Sequence, residues 1–260
     1  MAAQWARAAR VTAAMKTAIV TGASGGLGLC LCRALLRRGY RVAMLGRDAQ
    51  KLEAAARELR AEGPVLALVG DVTIPEQVRT AVERVQAEWG PIDLAIANAS
   101  IRGATRAPDF PLDLAVRIME TNYFGMLYLF QAVMPGMLAR RQGCFVGIAS
   151  IAGIRCLAGG SAYGASKAAM QAFLDTTRLD VRAHKLQVVT VNPWFIRTQE
   201  ADDRIPRPMQ VEAEWAAERI IRGVERGKTQ VEFPLVPSLL WKVIRLLPNP
   251  VFVRIFGRKA

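Results

Sequence analysis

The sequence contains only one histidine, His184, and four cysteines among its 260 residues. The cysteines, Cys30, Cys32, Cys144 and Cys156, lack the paired spacing of a zinc site, and the first two point to different faces of a helix. This scarcity argues against zinc chemistry, and we predict no metal site. We interpret the four cysteines as buried thiols of a cytoplasmic protein, because the cytoplasm keeps thiols reduced.

Internal repeats and low-complexity linkers are also absent from the sequence. Hydrophobic residues make up 52% of the chain, enough for a large core, and one α/β domain can reach this length. Residues 1–14 have arginines and alanines but no acid and no apolar stretch typical of a secretory signal. We interpret residues 1–14 as an N-terminal extension that arises from a misassigned start, because Met15 would begin the first strand naturally, and we expect it to add little to the fold. A transit peptide is the alternative.

Acidic residues are few relative to basic ones, and the formal net charge is +13. Such a charge would suit a nucleic acid or an anionic membrane surface. Arginines do not alternate with aromatic residues, and no nucleic-acid-binding motif occurs, so we predict no nucleic-acid partner. We interpret the excess charge as a basic surface that also attracts phosphorylated cofactors.

Apolar strand patterns alternate with helical patterns along residues 15–234. Nearly continuous apolar runs, such as residues 94–97, suit a parallel sheet that is buried on both faces. We predict a single α/β domain, a Rossmann-type doubly wound parallel sheet of about seven strands with helices on both faces. The predicted helix 111–139 is expected to kink or end at Pro135. Strands are predicted at 16–21, 41–45, 65–69, 92–97, 143–148, 187–191 and 229–233, and helices at 26–38, 48–61, 75–88, 111–139, 161–184 and 211–226.

A glycine-rich turn follows the first predicted strand and precedes a helix. This is the context of a dinucleotide-binding fingerprint, because glycines let the backbone approach a pyrophosphate and the helix N-terminus offers free N–H groups. The spacing is Gly-x-x-x-Gly-x-Gly rather than Gly-x-Gly-x-x-Gly. We predict cofactor contacts from Gly22, Ser24, Gly25, Gly26, Leu27 and Gly28.

Tyr163 precedes Lys167 by four residues on one predicted helix. The two side chains therefore lie on the same face, roughly 6 Å apart. A cation beside a phenol favours the phenolate and lowers its pKa from about 10. A phenol tuned in this way can donate or accept a proton at neutral pH.

Together these motifs resemble the short-chain dehydrogenase/reductase family, in its type of roughly 250 residues. The matching segments stand in the family's order and spacing, over about residues 16–235. They are Thr21-Gly-Ala-Ser-Gly-Gly-Leu-Gly28, Asp71-Val72, Asn98-Ala99, Asn122, Ser150, Tyr163-Gly-Ala-Ser-Lys167, and Asn192-Pro193 with Thr198.

The resemblance implies an oxidoreductase that moves a hydride between a nicotinamide and a carbonyl or secondary alcohol. Tyr163 would then donate the proton in carbonyl reduction and accept it in alcohol oxidation. Lys167 would lower the tyrosine pKa and bind the nicotinamide ribose, and Ser150 would hydrogen-bond the substrate oxygen. Asn122 would hold a water that links Lys167 to solvent. The alternative is a nucleotide-binding regulatory or structural protein that keeps this fold without turnover.

The end of the second strand bears on the choice of cofactor. NAD-binding folds usually place an acid there, whereas this chain has Gly46 followed by Arg47. The small residue leaves room for a 2′-phosphate and the arginine supplies its counter-charge, which favours NADP(H) over the alternative, NAD(H). Asp48 stands near the expected acid, but its place before a helix is typical of an N-cap. The resemblance adds Asp71, Val72, Asn98, Ala99, Tyr163, Lys167, Pro193 and Thr198 as cofactor contacts.

The chain departs from the family pattern at two positions. Ser100 replaces a glycine, which would strain the turn if that turn needs a positive φ. Trp194 replaces the glycine after Pro193, and either lines an apolar substrate pocket or packs under the loop. Residues 199–210 would form the substrate loop. An apolar alcohol or ketone is the preferred substrate class.

The C-terminal tail, residues 235–260, is apolar and basic and contains no acid. Prolines at 237, 248 and 250 break it, so it cannot form one membrane-spanning helix. Two short amphipathic helices would lie on an anionic membrane surface, cover the substrate pocket or pack on a partner subunit. By resemblance, the protein is a homodimer or homotetramer that packs through helices 111–139 and 161–184.

Overall fold

A seven-stranded, wholly parallel sheet forms the centre of the protein. The computed structural model describes residues 15–197 and 210–257. The predicted extension 1–14, Thr198 and nearly all of the predicted substrate loop lie outside these ranges. The strands are β1 (Thr17–Thr21), β2 (Arg41–Gly46), β3 (Val65–Val69), β4 (Leu94–Ala97), β5 (Cys144–Ile148), β6 (Gln187–Pro193), β7 (Ile196–Arg197), β8 (Val211–Glu212) and β9 (Gln230–Phe233).

The helices divide between the two faces of this sheet. One core contains side chains from the helices at 26–36, 49–59 and 213–225, and the other contains side chains from the helices at 75–89, 125–140 and 161–180. β1, β4 and β5 are therefore buried along their whole length, as their apolar sequences predict. The helices are α1 (Gly26–Leu36), α2 (Ala49–Leu59), α3 (Pro75–Trp89), α4 (Leu112–Met119), α5 (Gly125–Arg140), α6 (Ser161–Asp180), α7 (Ala213–Glu225), α8 (Leu235–Arg245) and α9 (Asn249–Phe256).

The strand order confirms the predicted doubly wound fold and locates its ligand crevice. The order across the sheet is β3-β2-β1-β4-β5-β6-β9. β1 therefore lies between β2 and β4, with Ile19 opposite Ala43 on one side and Ala95 on the other. The chain leaves β1 in one direction across the sheet and later returns to add β4 on the other side. Ligands of such sheets bind outside the carboxyl ends of the strands at this reversal.

The long helix predicted at 111–139 is interrupted, but not where its proline suggests. A single π-helical turn, Glu120–Phe124, separates α4 from α5. α5 continues through Pro135 to Arg140, so the expectation of an end at that proline is wrong. The wider π turn carries Asn122, and such turns are frequent at functional sites.

Two smaller expectations also need correction. Cys30, Cys32 and Cys144 are buried, but Cys156 is only half-buried in the loop after β5. Pro237 does not break the tail, because it stands in the first turn of α8, where a proline costs no helical hydrogen bond. No helix within 15–197 or 210–257 is both long enough and apolar enough to span a bilayer.

Candidate active site

The turn between β1 and α1 is held close to the loop after β4. Asn98 donates its side-chain amide to the carbonyls of Thr21 and Gly22, at 3.0 and 3.1 Å. The Thr21 hydroxyl in turn accepts the backbone N–H groups of Asn98 and Ala99, both at 3.0 Å. Asn98, predicted as a cofactor contact, therefore uses its side chain to fix the glycine-rich turn.

Two glycines of this turn are required by close backbone approach. Gly22 has a φ of +63°, and an added Cβ would lie 2.8 Å from the Ala99 Cα. A Cβ on Gly28 would meet the Gly22 carbonyl oxygen at 2.1 Å. A side chain at Gly22 would force the turn away from the loop after β4, and a side chain at Gly28 would force α1 away from the turn.

Gly25 has a different role, because an added Cβ there would meet no atom within 4 Å. Gly25 is also the N-cap of α1, and no side chain caps this helix end. The first-turn N–H groups and the positive end of the helix dipole therefore adjoin an open space. This cradle fits the pyrophosphate of a dinucleotide cofactor.

The end of β2 combines a glycine with an exposed arginine. A Cβ on Gly46 would come within 3.6 Å of the Ser24 hydroxyl, so this position is small and lies beside the glycine-rich turn. The Arg47 side chain is 74% exposed and lies 3.6 Å from the Asp71 carboxylate. The Asp48 carboxylate accepts the Lys51 N–H at 3.0 Å and caps α2. Asp48, which stands near the position of the ribose-binding acid in NAD-binding folds, thus uses its carboxylate as a helix cap.

Asp71 organises the turn after β3. Its carboxylate accepts the backbone N–H and the hydroxyl of Thr73, at 2.9 and 2.8 Å. Burial raises the pKa of Asp71, but these hydrogen bonds and the charge of Arg47 outweigh it and hold the pKa below its ordinary value. Val72, the next predicted contact, is buried against Gly125 at the start of α5.

Tyr163 and Lys167 project from the first turns of α6, as the spacing predicts. The Lys167 ammonium lies 5.6 Å from the centre of the Tyr163 ring. Lys167 is 1% exposed and donates to the Ile148 carbonyl at the end of β5, at 2.8 Å. Burial lowers its pKa from 10.5 to about 7.

The Tyr163 phenol does not have the lowered pKa that the sequence suggests. Burial raises its pKa, and interactions with the Ser150 hydroxyl and the charge of Arg102 offset only part of this rise. The expectation of a lysine-lowered pKa is therefore wrong for the protein without cofactor. The phenol is protonated at neutral pH, which suits a proton donor.

Ser150 stands two residues after the end of β5 and is buried. Its hydroxyl accepts the Ala152 N–H at 3.1 Å, and its carbonyl accepts the side-chain amide of Gln171 at 2.7 Å. Gln171 also donates to the Asn192 side chain at 2.8 Å, which joins the ends of β5 and β6. Sequence reasoning missed Gln171, although its place four residues after Lys167 puts it on the same face of α6.

Asn122 is completely buried in the π turn. Its side chain accepts the Ile101 N–H at 2.8 Å and donates to the Ile101 carbonyl and the Ser166 hydroxyl, both at 3.0 Å. The Ser166 hydroxyl in turn donates a hydrogen bond to the Tyr163 carbonyl at 2.8 Å. The Asn122 side chain thus positions the first turn of α6. Ser166 was also missed, although it stands inside the tyrosine–lysine motif.

Neither departure from the family pattern distorts the site. Among non-glycine residues of the described ranges, only Arg141 and Lys185 have a positive φ, so Ser100 causes no such strain. Pro193 closes β6, and Trp194 donates its backbone N–H to the Phe233 carbonyl at 2.9 Å. The Trp194 indole packs edge-on against Trp241 of α8, with 5.2 Å between ring centres.

The C-terminal helices are fastened to the loop after β5. Trp241 donates its indole N–H to the Arg155 carbonyl at 2.7 Å. The Arg155 guanidinium lies 2.8 to 3.2 Å from three carbonyls at the end of α8 and 2.8 Å from the Asn249 side chain. It also lies 3.8 Å above the Phe252 ring. The tail therefore contacts both loops that border the carboxyl ends of β5 and β6.

Comparison with known proteins agrees with this geometry. A family model described as short chain dehydrogenase matches residues 16–207. An uncharacterized oxidoreductase of Myxococcus xanthus is 37% identical over 239 residues, which cover 91% of this chain and 94% of that protein. Dehydrogenase/reductase SDR family member 7B of Bos taurus is 37% identical over 202 residues, 75% of this chain but only 62% of that protein.

A solved structure of a ketoreductase has a similar fold. A variant of actinorhodin polyketide ketoreductase, solved with NADPH, has a TM-score of 0.78 and 25% identity, with 84% of this chain and 95% of that chain covered. The glycine cradle, the clustered tyrosine, lysine and serine, and the match over most of the chain are consistent with one another. The chain belongs to the short-chain dehydrogenase/reductase family of oxidoreductases.

Proposed function

We propose that this protein is an NADP(H)-dependent reductase of apolar aldehydes or ketones, with Tyr163 as the general acid. The observation that carries the proposal is the grouping of Tyr163, Lys167 and Ser150 at the carboxyl end of β5, within the crevice that begins at the glycine cradle. The same residues would serve alcohol oxidation in the reverse direction. NAD(H) is the alternative cofactor.

The nicotinamide cofactor, when bound, supplies the hydride for the carbonyl carbon. Ser150 would orient the carbonyl oxygen, and Tyr163 would donate its phenolic proton to that oxygen as the alcohol forms. The Lys167 ammonium would stabilise the negative charge of the resulting Tyr163 phenolate, because a nearby cation favours the phenolate in a site sheltered from water. With its pKa near 7, Lys167 can also return a proton to the phenolate.

The test of the reaction is Tyr163→Phe, with Tyr128→Phe as the matched control. We expect the Tyr163 variant to lose NADPH oxidation against a panel of aldehydes and ketones by about 10²- to 10⁴-fold, the usual contribution of general acid catalysis. NADPH binding, followed by cofactor fluorescence, should persist. Full turnover by the phenylalanine variant would reject Tyr163 as the acid. Tight NADPH binding by the wild type without any turnover would favour the non-enzymatic alternative.

The cofactor preference is proposed from Gly46, Ser24 and Arg47. Arg47 is largely exposed and could turn from Asp71 to a 2′-phosphate. We expect Arg47→Ala to raise the KM for NADPH by about 10- to 100-fold, as for the loss of a charge-assisted hydrogen bond, with little change for NADH. Arg57→Ala, an exposed arginine on α2, is the control. Faster wild-type turnover with NADH than with NADPH would overturn the preference.

Apolar substrates are proposed because aromatic and aliphatic side chains border the site. Trp194 and Trp241 pack together at the end of β6, and Leu157 is 43% exposed in the loop after β5. Trp194→Ala should raise the KM for bulky ketones more than for acetone-sized ones. Equal effects on large and small substrates would place Trp194 outside the substrate pocket.

We also propose a homodimer through α4, α5 and α6. Exposed apolar side chains on these helices and on the π turn include Leu112, Val116, Phe124 and Leu179. A groove of about 620 Å³, lined in part by Phe110 and Ala165, runs between α4 and α6. Val116→Glu should convert the dimer to a monomer in light scattering, because a charge in the buried centre of an interface is costly. A dimer that survives this change would exclude this surface.

A further inference from the structure

Helices α8 and α9 carry an apolar surface that no other described part of the chain covers. Its members are each more than half exposed, although large apolar side chains normally avoid such exposure in groups. We call this set the outer apolar face: Leu235, Val236, Leu239, Leu240, Val243, Leu246, Val253 and Ile255, with exposures from 54% to 81%.

This face cannot turn inward, because the opposite side of α8 already packs on the domain. Pro237, Ser238 and Trp241 are buried there, and Trp241 contacts Trp194. The Arg155 guanidinium holds the carbonyls at the end of α8, which fixes the rotation of the helix. The outward direction of the outer apolar face is therefore built into the fold.

Basic side chains lie on the same two helices as the outer apolar face and beside Leu235 at its start. The tail, residues 235–260, contains five basic residues and no acid. Among them, Lys242, Arg245 and Arg254 are exposed, and Lys242 pairs with Glu232 at 2.7 Å. A cleft of about 260 Å³ beside Leu235 adds Arg219, Arg222, Arg226 and Lys228, together with Glu232. Amphipathic helices that lie on anionic membranes combine an apolar face with lysine and arginine in this manner.

We propose that the outer apolar face docks this protein on an anionic lipid bilayer. Its leucines and valines would enter the acyl boundary, and the neighbouring lysines and arginines would contact lipid phosphates. A second copy of the chain fits this face less well. A twofold interface would place two tails of this composition against each other, and neither has an acid to pair with the lysines and arginines of the other.

Flotation of the full chain with lipid vesicles tests this proposal without any turnover, so its result is separate from that of the proposed function. Vesicles of phosphatidylcholine with about 30% phosphatidylglycerol are compared with pure phosphatidylcholine. The variant is Leu239→Glu with Leu246→Glu, and Val69→Glu, at the end of β3 and 63% exposed, is the control at a similarly exposed apolar residue. A second variant, Arg245→Ala with Arg254→Ala, is compared with Arg57→Ala and Arg182→Ala.

We expect the wild type to float with anionic vesicles and to bind pure phosphatidylcholine at least tenfold less. The double glutamate variant should lose at least tenfold in binding, and the double alanine variant should lose severalfold and become less salt-dependent. Each control should bind like the wild type, with circular dichroism confirming the fold. The proposal is overturned if the wild type does not float, or if the double glutamate variant floats equally well. A double glutamate variant of half the wild-type mass would instead make this face a subunit interface.

Discussion

Replacement of Lys167 by methionine should stabilise the protein at acidic pH while abolishing its activity. Lys167 is completely enclosed, and burial lowers its pKa from 10.5 to about 7. The folded protein therefore releases this proton near pH 7, whereas the unfolded chain holds it to about 10.5. Between these values the unfolded chain binds more protons, so this lysine makes the free energy of unfolding rise with pH.

The magnitude follows from the two pKa values. Each tenfold difference in proton affinity corresponds to about 1.4 kcal/mol. The fall of the Lys167 pKa from 10.5 to about 7 therefore means that burial destabilises the charged side chain by about 5 kcal/mol in the folded protein. Methionine removes that cost, but it leaves the Ile148 carbonyl without the donor now at 2.8 Å, a loss of about 1–3 kcal/mol. The variant should thus be more stable by roughly 2–4 kcal/mol near pH 6.

Urea unfolding from about pH 6 to about pH 9.5 would measure this difference. The stability advantage of the variant should shrink by about 3 kcal/mol over that range, because above about pH 7 the folded lysine is already neutral and the cost of removing its proton on folding falls as the pH approaches 10.5. Lys228→Met, at an exposed lysine, is the control and should show no such trend. A pH-independent difference, or a variant less stable than the wild type near pH 6, would refute the buried-charge account. Confirmation would mean that this chain keeps a destabilising lysine for its chemistry.

Other substitutions separate structural from functional roles. Gly28→Ala should lower the free energy of unfolding by about 1–3 kcal/mol, because its Cβ would overlap the Gly22 carbonyl; an unchanged denaturation midpoint would contradict this. Gly25→Ala should keep the wild-type denaturation midpoint but weaken NADPH binding at least tenfold. An unchanged affinity for NADPH would exclude the N-terminus of α1 as the pyrophosphate site. Asp48→Ala should cost about 1 kcal/mol through the lost N-cap without altering the NADPH-to-NADH ratio; a shifted ratio would assign Asp48 to the ribose. Arg155→Ala should release the tail from the domain, so that a protease cleaves the C-terminal helices faster. An unaltered cleavage rate would show that Arg155 does not hold the tail in place.

Local sequence patterns were sufficient for the fold class and for the elements that carry the site. Apolar runs separated by amphipathic helices predicted the parallel sheet, because a strand buried on both faces must be apolar throughout. The glycine spacing predicted the cradle, and the i, i+4 spacing placed Tyr163 beside Lys167. These features depend on residues close together in the chain. Periodicity and turn chemistry therefore revealed them.

Contacts between distant segments were decided only by the tertiary structure. The rise of the Tyr163 pKa depends on how deeply α6 packs against the domain, and no spacing reports burial. Gln171 gained its role because the fold brings it to the Ser150 carbonyl and to Asn192. The tail was open to three interpretations until Trp241 and Arg155 fixed its inner side. Sequence determined which chemical groups this protein possesses, whereas packing determined their charge state and their partners, because desolvation and hydrogen-bond geometry arise only when the chain is folded.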